Sequence, residues 1–106
     1  MYKIVFFVPS ADLERVKNAM FNAGAGRQGN YRECCWQTLG TGQFRPVAGA
    51  NPAIGRLGEL EQVEEWRVEM ICEPHCLKAA LNALLTSHPY EEVAFDLIEL
   101  VDPAAL

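Results

Sequence analysis

Basic residues are scarce in this chain. Nine lysines and arginines stand against 14 aspartates and glutamates in 106 residues, a formal net charge of −5. Such a surface repels phosphate backbones rather than gathering them, so nucleic acid is not an expected partner. Also missing is any apolar run near the roughly 20 residues that span a bilayer. The short apolar run after Lys3 gives way to Pro9, Ser10 and acidic residues where a signal peptide would need a small-residue cleavage site. Neither a membrane span nor a secretory signal is expected. The four cysteines, Cys34, Cys35, Cys72 and Cys76, have neither the density of a disulfide-stapled mini-protein nor a paired C-x-x-C zinc spacing. Reduced thiols in the cytoplasm are the simpler expectation. The chain is too short for two well-buried cores, so a single domain over residues 1–106 is expected.

What is present is periodicity. YKIVFFV, residues 2–8, is β-branched and aromatic with apolar residues on both faces, as a central strand requires. Pro9 ends it, and Ser10 is placed to cap a helix with Asp12 and Glu14 near its start and Leu13, Val16 and Met20 on one stripe. Gly24 stops that helix. A second strand is expected over 33–39, and a third over 63–71, where Trp66, Val68 and Met70 alternate with Glu65, Arg67 and Glu69. Pro74 opens a second helix striped by Leu77, Leu81, Leu84 and Leu85, and residues 94–100 supply a fourth strand. This order predicts an α+β, ferredoxin-like βαββαβ sandwich whose antiparallel sheet carries two helices on one face. The opposite face must be polar, covered by the central loop, or packed on another copy, and a homo-oligomer, dimer or trimer, is expected.

Three stretches invite a chemical reading. GAGRQG, residues 24–29, has the letters of a dinucleotide fingerprint. It closes a helix instead of following a strand and opening one, so a C-cap and a turn are the better expectation. Residues 40–62 hold five glycines with Pro46 and Pro52 and are expected to form one long loop between strands two and three. There Thr41, Gln43 and Arg45 offer donors to an anion while Gly40 and Gly42 allow close backbone approach, with Phe44 beside them. The competing account makes this a spacer that clasps a neighbour through Phe44, Ile54 and Leu57. Finally, His88, Glu91 and Glu92 in HPYEE supply divalent-metal ligands within five residues, with Glu61, Glu64, His75 or a second subunit to complete the set. Alternatively, Pro89 merely turns the chain while His88 satisfies the helix end. Cys72, His75 and Cys76 form a C-x-x-H-C cluster, most simply read as buried apolar thiols.

Taken together, the Tyr-Lys strand start with Val-Pro, the Gly24 to Tyr31 segment, Gly40-Thr41-Gly42-x-Phe44-x-Pro46, the Gly49 to Gly58 run, Glu61-x-Val63-x-Glu65 and His88-Pro89-Tyr90-Glu91-Glu92 resemble a known domain. It is the one inserted into many bacterial members of the NGG1p-interacting factor 3 family, with its stand-alone YqfO-type relatives. The resemblance covers nearly the whole chain and implies a PII/CutA-like fold assembled through its sheets. It also implies that the loop between strands two and three is functional, and it raises the metal reading of His88. The residues that flank this domain in longer family members, with their metal core, are not among these 106, so a cyclohydrolase activity is not expected to transfer. Where relatives often continue with Pro-Ala-Tyr after the two glutamates, Val93, Ala94 and Phe95 stand here.

The leading expectation is thus a non-enzymatic PII/CutA-like oligomer. It would bind a small ligand through Gly40, Thr41, Gly42, Gln43, Phe44 and Arg45, or a divalent metal ion through His88 and Glu91. A ligand-free interaction module is the alternative. An enzyme with His88 as general base is the third reading.

Overall fold

The apolar amino-terminal run becomes the centre of the sheet. Strand β1 (Tyr2–Pro9) is flanked by antiparallel neighbours on both sides, and its alternate residues Ile4, Phe6 and Val8 are wholly buried. Each such side chain contributes about 1.5–3 kcal/mol by leaving water. The computed structural model describes every residue from Met1 to Leu106. Strands β2 (Trp36–Phe44), β3 (Glu61–Cys72) and β4 (Phe95–Glu99) complete a sheet of order β2-β3-β1-β4. Helices α1 (Leu13–Asn22) and α2 (Leu77–Ser87) send Leu13, Val16, Met20, Ala80 and Leu84 into one cluster with Ile4, Phe6, Val8, Val68 and Met70. Both helices therefore lie on the same face, and the fold is the expected ferredoxin-like sandwich. No helix is long and apolar enough to cross a membrane.

Several local expectations change. A single 3-10 turn, Ser10–Asp12, delays α1 to Leu13 and puts Asp12 at the cap position. Ser10 does not cap the helix: its hydroxyl donates to Glu64 Oε1 (2.8 Å) and accepts from Trp66 Nε1 (2.9 Å), pinning the turn to β3 instead. Gly24 does end α1, at φ +107°, where a Cβ would press on the Cys76 side chain. Leu85 lies outside the buried stripe of α2 and is 49% exposed.

The larger change concerns the central loop. Residues 33–35 precede the second strand, and residues 40–44, expected in the loop, are instead its second half. Its ladder with β3 runs from Trp36↔Glu69 to Phe44↔Glu61. Low strand propensity at Gly40 and Gly42 is overridden because the long third strand offers backbone partners along its whole length. The connection shrinks to residues 45–60. It is tied internally by Arg45 Nη1 to the Gly58 carbonyl (2.7 Å) and Gly58 N–H to the Pro46 carbonyl (2.7 Å). Pro46 is its buried anchor, and Leu57, expected to clasp a neighbour, is 56% exposed.

The helix-free face is mixed. Lys3 and Arg67 pair with Glu69 (3.3 and 3.6 Å), and the Arg67 guanidinium sits 6.0 Å from the Phe7 ring. Trp36 and Ile98 lie on the same face in register with this row and the next, 59% and 44% exposed.

Candidate functional site

His88 follows α2 with extended backbone, so its imidazole turns back toward the sheet. It is 6% exposed. Nε2–H donates to the Phe7 carbonyl (2.7 Å), and Nδ1 accepts from the Tyr90 N–H (3.1 Å), an arrangement that sets the neutral Nε2–H tautomer. Burial pushes its pKa below the usual histidine value, against the upward pull of the Phe7 carbonyl, Asp12 and Glu65. The ring thus works as a clasp between the turn and β1.

Held by that clasp, Tyr90 reaches Glu65, with its hydroxyl donating to Oε2 (3.1 Å) and its ring 6.2 Å from that of Phe44. Burial, then the Glu65 charge, raises the phenol well above its ordinary pKa and keeps it protonated. Glu65 can occupy this position because its carboxylate lies where a side chain on Gly42 would begin. From the other side, Glu91 Oε1 accepts from the Asn51 N–H (2.8 Å), docking the 45–60 loop against the HPYEE segment.

Between these pieces lies a cavity of about 360 Å³. Phe44, Pro46, Val47, Ala50, Pro52 and Ala94 form its apolar walls, while Gln43, Arg45, Glu65, Tyr90, Glu91 and Glu92 supply the polar groups. Of the residues expected to bind a ligand, Gln43, Phe44 and Arg45 line it. Gly40 and Thr41 do not; they stand in the ladder opposite Glu65 and Glu64. Gly42 acts beneath Glu65. Sequence reasoning missed Glu65 and Tyr90 as site residues, although both stand in quoted motifs, Glu61-x-Val63-x-Glu65 and His88-Pro89-Tyr90-Glu91-Glu92.

His88 and Glu91 are not assembled as a metal pair. Both imidazole nitrogens are engaged by the backbone, and no group of three or more His, Cys, Asp or Glu side chains in the chain is arranged to hold a cation. Glu64 is bonded to Ser10, and His75 is exposed in the Pro74–Cys76 turn. The residues present therefore do not fit a resident metal at His88. The four thiols are unpaired with one another. Cys72 is buried, and that burial, followed by Cys76 and Glu73, pushes its pKa up, away from the reactive thiolate.

No family model matches the chain. It is 46% identical over 101 residues to the GTP cyclohydrolase 1 type 2 homolog of Mycobacterium leprae, covering 95% of this chain and 26% of that protein. The chain thus spans about a quarter of the length of the curated relatives it matches. Among solved structures, the Bacillus cereus protein related to NIF3 superposes with a TM-score of 0.82 at 42% identity, covering 95% of this chain and 26% of that one. The PII-like protein CutA from Nostoc superposes at 0.70 with 17% identity, covering 100% and 86%, a likeness of fold alone. The chain is thus similar to a quarter-length segment of NIF3-related proteins and has the PII/CutA-like ferredoxin fold.

Proposed function

We propose that this domain binds a small organic molecule in the cavity between residues 43–52 and 90–94, and that it binds without transforming it. The observation that carries this reading is the cavity itself: two segments nearly 40 residues apart are tied together by the Asn51–Glu91 bond around a space of about 360 Å³. That volume lies within the range of ordinary ligand pockets, and mostly apolar walls with a few fixed polar groups are their usual construction. Three carboxylates face one guanidinium, and Arg45 is already bonded to Gly58. A compact organic ammonium ion fits this balance, with its apolar body against Phe44 and Tyr90. A binding role suits the polar groups too, since the Tyr90 phenol is held protonated on Glu65 and His88 is occupied by the backbone.

Calorimetric titration with benzylammonium tests the reading. Saturable binding weakened by Glu91→Gln and by Phe44→Ala is expected. Binding unaffected by both substitutions, or none at millimolar concentration, would contradict it. The cyclohydrolase in the relatives' name concerns proteins of which this chain matches about a quarter, and no such step is assigned to the cavity.

The exposed Trp36 and Ile98 on the helix-free face favour self-association. Light scattering should report an oligomer that Trp36→Lys dissociates; a monodisperse monomer would remove this part of the proposal.

A further inference from the structure

A second concavity, of about 340 Å³, opens where α1 ends, lined by Phe21, Asn22, Ala25, Arg27, Arg32 and Glu33. Two of the chain's six arginines line it. Lys3, Arg15, Lys17 and Arg67 are in ion pairs, and Arg45 is bonded to a carbonyl. Arg27, Arg32, Arg56 and Lys78 have no such partner, and of these Arg27 and Arg32 face the same space in a protein of net charge −5.

The segment that presents them is built rather than loose. The Gly26 N–H donates to the Ile71 carbonyl (2.8 Å), the Cys34 N–H to the Gly26 carbonyl (2.8 Å), and Gln28 and Tyr31 exchange backbone bonds of 3.0 and 2.9 Å. Gly26, at φ +75°, has no room for a Cβ, which would meet the Phe21 ring at 2.7 Å and the Cys34 carbonyl at 2.9 Å. This packing brings the turn down onto Phe21. The helix end beneath is largely neutralised, because the carbonyls of Ala19, Met20 and Phe21 already accept from Ala23, Ala25 and Gly24.

We propose that this concavity is an anion site for a phosphate monoester carried on a planar apolar group. Arg27 and Arg32 take the phosphate oxygens through their forked N–H donors, with the Asn22 side-chain amide beside them. Phe21 and Ala25 form the apolar floor on which the organic group rests. The glycines of GAGRQG shape the turn, but the arginines bind the charge. Glu33 is the one acid in the lining and opposes the ligand, which supplies a built-in test.

The experiment is an amide-resolved NMR titration of the intact chain with phenyl phosphate. Saturable shifts confined to residues 21–33 are expected. Each arginine is expected to account for about tenfold in affinity, so R27A/R32A should weaken binding about a hundredfold. Glu33→Gln should tighten it severalfold by removing a like charge. All three positions are exposed, and the variants' own spectra report whether the fold is intact. Absence of saturable shifts, undiminished binding to folded R27A/R32A, or equally tight binding of benzoate would overturn the assignment.

Discussion

Gly42 and Gly40 look alike in sequence and should respond oppositely to alanine. Both lie in β2, and a glycine inside a strand costs about 0.5–1 kcal/mol relative to alanine through its extra freedom when unfolded. At Gly40 nothing lies within 4 Å of an added Cβ, so Gly40→Ala should stabilise by up to that amount. At Gly42 the new methyl would occupy the space of the Glu65 carboxylate. That carboxylate ends a flexible side chain, so the backbone need not move; what is lost is its bond to the Tyr90 hydroxyl. A hydrogen bond to a charged group contributes about 1.5–3 kcal/mol, which outweighs the alanine gain and leaves a net loss of about 1–2 kcal/mol. For a domain of this size each kcal/mol corresponds to about 4 °C in Tm. Chemical and thermal denaturation of both variants, repeated in a Glu65→Ala background, measure the effect. With the carboxylate gone, Gly42→Ala should become as harmless as Gly40→Ala. A Gly42→Ala protein as stable as Gly40→Ala with Glu65 present would refute the packing of Glu65 over Gly42.

Other outcomes follow from the same contacts. Tyr90→Phe should cost about 1.5–3 kcal/mol, read as a lower denaturation midpoint, since it leaves the half-buried Glu65 carboxylate without its donor. For His88 the folded pKa is depressed below the unfolded value of 6.5, so the unfolded chain takes up the proton first as pH falls. Stability should be fully present above that value and decline as pH drops from it toward the folded pKa; His88→Gln should flatten this slope in pH-dependent denaturation curves. Thiol labelling at neutral pH should reach exposed Cys35 well before Cys72, whose burial raises its pKa. Mass spectrometry of partly labelled protein checks the order.

The fold was legible because the patterns in β1, β3 and the two helices are strong and agree with one another. The alternation of Trp66, Val68 and Met70 against Glu65, Arg67 and Glu69 places β3 unambiguously in the sheet. β2 was legible only in part: its glycines read as loop, and the ladder to β3 that makes them strand is a non-local interaction with no local signature. Likewise, Ser10 has the residue type and position of a cap, but the tertiary partners Glu64 and Trp66 take its hydroxyl. At the candidate site, Gln43, Phe44 and Arg45 were picked out from composition and motif, whereas Glu91 was picked out as a metal ligand and instead accepts from the Asn51 N–H. His88 was recognised, but as a ligand donor; that its two nitrogens face Phe7 and the Tyr90 amide depends on how α2 docks on the sheet. The role of Glu65 required knowing which strand residues face Tyr90 across three elements.

The most direct test of the account is the position of a bound organic cation, read by amide-resolved NMR during titration with benzylammonium. Occupation of the cavity predicts saturable shifts concentrated in residues 43–52 and 90–94, all moved to higher ligand concentration by Phe44→Ala. Shifts spread over the acidic surface without saturation, or saturating elsewhere, would contradict the assignment of this cavity as the ligand site.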